Sequence, residues 1–294
     1  MRLAGAWVVA GMLAGCTGTD RGPDAAVDAI DDYGQLIVAT TPAHRIVSVN
    51  PTTTEILFAL GAGDRVIGRS RWDQWPAAAR AVPEVGDAIR PSVERILAAH
   101  PDLVVLYASG DNRAAADALR TAGLQVVALR VDHIADFERC VRVLGRLTGL
   151  EDAATVAVDS VDRSLDVVRR AMQDVTRPRV VIHVWDNPLM AIGGGSFLSE
   201  LVEIAGGHNV YADRTEPSPQ VSFEDLVRRD PEVILAGPSD AARLATDPRW
   251  SKLRALSDGR ILAYDTTLVA RPSMRLGEAA RSLAALLHPG AVIP

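Results

Sequence analysis

Short apolar runs alternate with helix-period segments along most of this chain. Arg45-Ile46-Val47-Ser48-Val49 predicts a first strand. Asn50-Pro51-Thr52-Thr53 supplies helix-start chemistry, Glu55 to Leu60 a helix, and Gly61-Ala62-Gly63 its stop. Val66-Ile67-Gly68 opens a second strand, Ser92 to Ala99 a helix, and Leu103 to Tyr107 a strand apolar on both faces, as in a buried parallel sheet. Ala114 to Ala122 then predicts a helix and Val126 to Val131 a strand. Strands that alternate with helices imply α/β architecture with parallel sheets.

The second half repeats that order. Ser92-Val93-Glu94 through His100-Pro101-Asp102-Leu103 matches Ser222-Phe223-Glu224 through Asp230-Pro231-Glu232-Val233 at a constant offset of 130 positions. Glu55…Gly61-Ala62-Gly63 is echoed by Glu200…Gly206-Gly207, and Leu119…Gly123…Val126 by Leu256…Gly259…Ile261. Two similar α/β lobes follow. Between them, Glu151 to Val175 holds no Gly or Pro and repeats Val, Leu and Ala at helical spacing. That is one helix of roughly 37 Å at about 1.5 Å per residue, stiff enough to limit hinge closure between the lobes.

The first residues read differently. Arg2 precedes an uncharged apolar run, Leu3 to Leu13, which ends in Leu13-Ala14-Gly15-Cys16. Such a run is too short to span a bilayer core of about 30 Å as a helix and has the form of a signal peptide. The ending looks like a bacterial lipobox, with Cys16 as the lipidated new N-terminus; an ordinary secretory signal with an incidental cysteine is the alternative. Residues 1–15 are therefore read as a lipoprotein signal peptide and 16–43 as a tether and lead-in, flexible over Thr17 to Asp32. An N-terminal lobe over 44–150, a linking helix over 151–177 and a C-terminal lobe over 178–294 complete the division. The remaining cysteine, Cys140, lies on an apolar helix face (Phe137 to Leu144) and is expected to be buried and inert.

Composition narrows the function. With 37 acidic against 31 basic side chains the net charge is −6, which disfavours a general nucleic-acid binder. There is no GxxxxGK[ST] phosphate loop, and Gly61-Ala62-Gly63 follows a helix instead of opening one. Gly193-Gly194-Gly195-Ser196 lacks the glycine that a nucleophile elbow needs after its serine; Ser196 reads as a helix start. The six histidines, at 44, 100, 133, 183, 208 and 288, show no paired spacing. No nucleophile–base pair presents itself, and neither a catalytic residue nor a protein metal site nor a resident cofactor is assigned.

Taken together, Arg45-Ile46-Val47-Ser48-Val49-Asn50-Pro51-Thr52-Thr53-Thr54-Glu55, Leu60-Gly61-Ala62-Gly63-Asp64-Arg65-Val66-Ile67-Gly68 and Glu94…Pro101-Asp102-Leu103-Val104 resemble a known family. It is the helical-backbone class of substrate-binding proteins that serve ABC importers of cobalamin, siderophores, haem and some metals. The resemblance covers about residues 44 to 288 and implies two Rossmann-like lobes joined by one long backbone helix, with the ligand in the cleft between them. It also implies a monomeric, non-enzymatic receptor outside the cytoplasm, lipid-anchored to a membrane, that hands its ligand to a permease and its ATPase. The likeness is greatest to cobalamin receptors, so the expected ligand is cobalamin or a related corrinoid, with a ferric siderophore or haem receptor as the alternative. An enzyme on a related scaffold would carry cluster-ligating cysteines, and only Cys140 remains after the lipid site.

Cobalamin receptors line their cleft with aromatic side chains from both lobes. Trp72 and Trp75, in a polar loop after the second strand, are the matching candidates here. Tyr107 and Trp185 end strands, where open α/β sheets bind ligands, and each reads equally as core or as cleft. Arg271 and Arg275, between Thr267 and the last helix, are placed to grip an anionic group or to stay solvated. Two departures stand out: Ser218, within Glu216 to Ser222, replaces an expected Trp, and Val85-Gly86-Asp87 lacks the adjacent Tyr that several haem receptors use. Glu94 and Glu224 occupy the same place in each repeat, two residues after a capping Ser. They act as helix-dipole partners in a first turn or, as the resemblance implies, as a symmetric pair that docks onto arginines of the permease.

Overall fold

The computed structural model describes residues 30–293, so the signal segment and Cys16 lie outside the described residues. In the first lobe, β1 (Ile46–Ser48), α1 (Pro51–Ala59), β2 (Val66–Ser70), β3 (Glu84–Gly86), α2 (Val93–Ala98), β4 (Leu103–Tyr107), α3 (Arg113–Thr121), β5 (Gln125–Leu129) and α4 (Ile134–Thr148) follow one another. Their sheet runs β3-β2-β1-β4-β5, every neighbouring pair parallel. Helix α1 starts earlier than the apolar pattern alone predicts, because the Asn50 side chain accepts the Thr52 N–H and Pro51 fits the first helical position.

The linking helix is α5 (Glu151–Ala171), shorter than the sequence predicts. Met172 closes it, and at about 1.5 Å per residue it spans roughly 31 Å. Its buried stripe, Ala154, Val158, Val161, Leu165 and Val168, follows the i, i+3, i+4 rhythm of one helix face. That stripe packs against α4 of the first lobe and α11 (Leu276–Leu287) of the second, and one continuous apolar cluster crosses from lobe to lobe through it.

The second lobe contains β6 (Arg179–Asp186), β7 (Leu189–Ala191), α6 (Phe197–Ile204), β8 (His208–Asn209), α7 (Phe223–Arg229), β9 (Val233–Ala236), α8 (Pro238–Leu244), α9 (Arg254–Ser257), β10 (Ile261–Ala263) and α10 (Thr266–Val269), ahead of α11. Strands β10-β9-β6 are parallel, with β8 joining β6 at its start. The expectation of wholly parallel sheets fails at one place. β7 pairs antiparallel to the end of β6 through a tight turn at Asn187-Pro188, a hairpin that the first lobe lacks. The duplication otherwise extends to backbone detail: His100 and Asp230, the same position in each repeat, are the two non-glycine residues with positive φ among the described residues.

The lead-in is fixed to the first lobe from Asp31 onward, two residues inside the stretch that composition reads as flexible. The buried Asp31 carboxylate accepts the Ala128 N–H at 3.0 Å and pairs with Arg120 at 2.7 Å. Asp32 donates its N–H to Ala128 C=O at 2.9 Å, and its carboxylate accepts the Arg130 N–H at 2.6 Å. These bonds occupy the free edge of β5, which would otherwise present unpaired backbone groups.

Candidate functional site

A cavity of about 470 Å³ lies between the lobes. Its walls come from the residues that follow strands: Asn50 after β1, Tyr107 at the end of β4, Asp132 after β5, His183 near the end of β6, Gly237 after β9 and Tyr264 after β10. Parallel sheets present unpaired backbone and helix starts at that end, which is why ligands collect there. Helix α6 adds Phe197, placed by its N-cap Ser196, whose side chain accepts the Leu198 N–H at 3.3 Å.

The lining is mixed: apolar and aromatic side chains such as Val131, Ile192 and Phe197 share it with polar and charged ones, among them Asn50, Asp132, His183, Asp240 and Arg271. Burial raises the phenol pKa of Tyr107, and the nearby Asp132 adds to it. Tyr264 is raised by burial likewise. Both rings therefore keep their protons as donors at neutral pH. Burial also raises Asp132, against the opposing pull of Arg130. His183 is buried with Nε2 3.2 Å from Asp186 Oδ1 and its ring set edge-on to Trp250. His183 Nδ1 and Asn50 Nδ2 have no hydrogen-bond partner among the described residues. Neither Asn50, Asp132, His183, Phe197 nor Tyr264 is singled out as a ligand contact from the sequence; Asn50, Asp132 and Tyr264 follow strands, His183 lies within β6 and Phe197 opens α6.

The sequence-derived residues divide into three groups. Tyr107 and Arg271 line the cavity, as does Ser218. Arg271 also lines an adjoining recess of about 350 Å³ together with Trp75, Arg275 and the buried Glu55. There the Arg275 guanidinium sits 4.9 Å above the Trp75 ring and binds Glu278 through two bonds of 2.8 and 2.9 Å. Trp72 and Trp185 line neither space and are 53% and 60% exposed. Trp72 donates Nε1–H to Asp87 at 3.2 Å under the Arg71 guanidinium, and Trp185 donates to Asn187 C=O at 3.1 Å.

The tryptophan loop is held by Asp73. Its buried carboxylate accepts the Thr54 hydroxyl at 2.6 Å, the Ser70 N–H at 3.2 Å and the Ser70 hydroxyl. Trp72 and Trp75 are thereby fixed at the β2 end of the sheet, although they project outward. Glu94 and Glu224 are exposed in the first turns of α2 and α7, behind the caps Ser92 and Ser222. Both helices lead into β4 and β9 respectively, so both carboxylates stand at the strand C-terminal end of their lobe. Cys140 is buried with its thiol pushed up to about 12 by desolvation. Among the described residues no three His, Cys, Asp or Glu side chains converge as a metal site, and no helix is long and apolar enough to cross a membrane.

The fold and cleft have known counterparts. Residues 46–268 match the family model described as "Periplasmic binding protein". The chain belongs to this family. Its members bind and carry ligands, so this chain is a substrate-binding protein of the extracytoplasmic type and not an enzyme. It is 25% identical to the vitamin B12-binding protein of Vibrio parahaemolyticus over 83% of this chain and 89% of that one. It is 29% identical to YvrC, an uncharacterized ABC transporter substrate-binding lipoprotein of Bacillus subtilis, over 97% of both chains. The apo form of a periplasmic heme-binding protein from Roseiflexus shares the fold at a TM-score of 0.76 and 23% identity, covering 85% of this chain and 100% of that one.

Proposed function

We propose that this periplasmic binding protein captures cobalamin or a related corrinoid and delivers it to an ABC permease. The observation that carries the reading is the interlobe cavity at the strand ends. Its volume of about 470 Å³ suits a small-molecule site, and aromatic rings from both lobes meet polar and charged side chains there, among them Asn50, Asp132, His183 and Arg271. Tyr107 and Phe197 offer faces for a flat macrocycle. The exposed Trp72, Trp75 and Trp185 would cover parts of a large ligand that project past the rim, with Arg271 and Arg275 as anchors beside it. The similarity to a vitamin B12-binding protein supports this choice. A ferric siderophore is the second reading, favoured by the arginines around the Trp75 recess.

Tryptophan emission and calorimetric titration separate these ligands. Cyanocobalamin should quench emission and bind, and Trp75→Ala or Tyr107→Ala should weaken it by on the order of 1–3 kcal/mol. Haemin or a ferric hydroxamate binding while cyanocobalamin does not would overturn the corrinoid reading. Unchanged affinity in both folded variants would remove these rings from the site.

The proposed anchor is the lipid on Cys16, and the lipoprotein relative supports it. Cys16→Ala should give an unacylated chain that leaves the membrane fraction. Mass spectrometry finding an unmodified N-terminus at another position in the wild-type chain would exclude the anchor.

A further inference from the structure

Four contacts cross the floor of the cleft, and they repeat each other with the lobes exchanged. In the first pair, the Thr52 hydroxyl of α1 donates to Pro272 C=O of the second lobe at 3.0 Å. One turn on, the buried Glu55 carboxylate faces the Met274 N–H, the Ser273 hydroxyl, Arg271 and Arg275, and its Oε1 has no hydrogen-bond partner among the described residues. In the second pair, the Phe197 N–H of α6 donates to Asp132 C=O of the first lobe. One turn on, Glu200 accepts the Ile134 N–H at 3.1 Å and meets His133 Nδ1 at 2.6 Å. Thr52 and Phe197 are 145 positions apart, as are Glu55 and Glu200. Each donor takes a loop carbonyl, and each glutamate faces the N–H two residues further along that loop, bonded to it at Glu200 and set beside it at Glu55.

The receiving loops are also equivalent. One connects β5 to α4, and the other runs from α10 into α11. Both carry cavity lining, Asp132 in the first and Arg271 and Pro272 in the second. A carboxylate that accepts a backbone N–H at the start of a helix gains from both the hydrogen bond and the helix dipole.

We propose that Glu55 and Glu200 are a pseudo-two-fold pair of positioning residues, each holding the other lobe's cavity loop and together setting the width of the cleft. The inference rests on that cleft being the binding site, whatever its ligand. The two halves differ in chemistry. Glu55 faces arginines, which stay charged, whereas Glu200 faces His133. Glu200, Asp136 and Asp132 raise the His133 pKa against a smaller opposing effect of burial. The His133 ion pair is therefore complete below the ordinary histidine pKa of about 6.5 and is lost as pH rises through the raised value.

The test uses ligand-free full-length chain with Cys16→Ser and spin labels on Thr121→Cys and Asp258→Cys, exposed positions on opposite lobes. With both latches removed, in Glu55→Ala/Glu200→Ala, the interlobe distance should lengthen and broaden. Each single variant should keep its distance, but release only the opposite loop. Hydrogen exchange should quicken on the order of tenfold at Ile134 for Glu200→Ala and at Met274 for Glu55→Ala. Glu200→Gln should restore most of the protection at Ile134, because an acceptor remains, and abolish its dependence on pH. In the parent chain that protection should weaken as His133 deprotonates, while Met274 stays protected. A double variant with native circular dichroism and an unchanged distance distribution would overturn the proposal, as would exchange that quickens only within the substituted lobe. No ligand enters any arm, so either result leaves the corrinoid reading to its own test.

Discussion

A chain carrying Glu94→Arg and Glu224→Arg together is expected to bind ligand in solution like the parent chain, yet to support neither uptake nor stimulated ATP hydrolysis in vesicles that hold the cognate permease. The two carboxylates are exposed and lie on matching first turns, one per lobe, at the strand C-terminal end where the cleft opens. A transporter with two like subunits would meet such a pair with one cation on each side. Paired charges fix orientation and speed encounter more than they add affinity, and reversing both turns attraction into repulsion. Helix stabilisation predicts a different outcome. Ser92 and Ser222 already cap the helices, accepting the Arg95 N–H at 3.3 Å and the Asp225 N–H at 3.0 Å. Loss of a first-turn carboxylate at an exposed site then costs about 0.3–1 kcal/mol per helix, which lowers the melting temperature and leaves transport intact. Wild-type uptake by the double variant would assign both residues to the helices alone.

The architecture was legible because its signals are local. The alternation of apolar runs and capped helices gave nearly every strand of the first lobe, and the constant offset from Ser92 to Ser222 carried through to matching starts for α2 and α7 and for β4 and β9. Long-range contacts were the ones missed. Nothing in the composition of Ala29-Ile30-Asp31-Asp32 reveals that Asp31 pairs with Arg120 or that Asp32 seals β5. The hairpin at Asn187-Pro188 was hidden because β6 reads as one apolar strand whether or not a partner returns beside it. The site was legible in outline only. Strand ends were the right place to look, and Tyr107 and Arg271 stand in the cavity wall. Aromaticity was a weaker guide than position. A neighbouring cation or hydrogen-bond acceptor lets Trp72 and Trp185 rest at the surface, whereas His183 reaches the cavity wall without any distinguishing motif and Asn50 reaches it from a motif that reads only as a helix start.

The substitution expected to disturb the site most through the backbone is Gly195→Ala. The glycine run 193–195 joins the extra hairpin to α6, and the segment from Tyr211 to Pro217 lies directly on it. The Gly194 N–H donates to Arg214 C=O at 2.7 Å, and the Gly193 N–H to Pro217 C=O at 3.1 Å. A Cβ on Gly195 would fall 1.9 Å from Thr215 O, on Gly194 2.2 Å from Ala212 O, and on Gly193 2.2 Å from Glu216 O. These obstacles are backbone carbonyls, which cannot rotate aside as a side chain would. The overlying segment must lift, and it carries Pro217 and Ser218 into the cavity wall, while the run itself leads into Phe197 and so into the Asp132 contact. Overpacking of this kind costs about 1–3 kcal/mol. Gly195→Ala should therefore lower the denaturant midpoint and also weaken ligand binding in the fraction that remains folded. Gly110→Ala is the matched control, since a Cβ there meets nothing within 4 Å, and its effect should stay within about 0.5 kcal/mol. Equal midpoints and equal affinities for the two variants would show that the segment moves freely, and that the glycine run is not what sets this wall of the cleft.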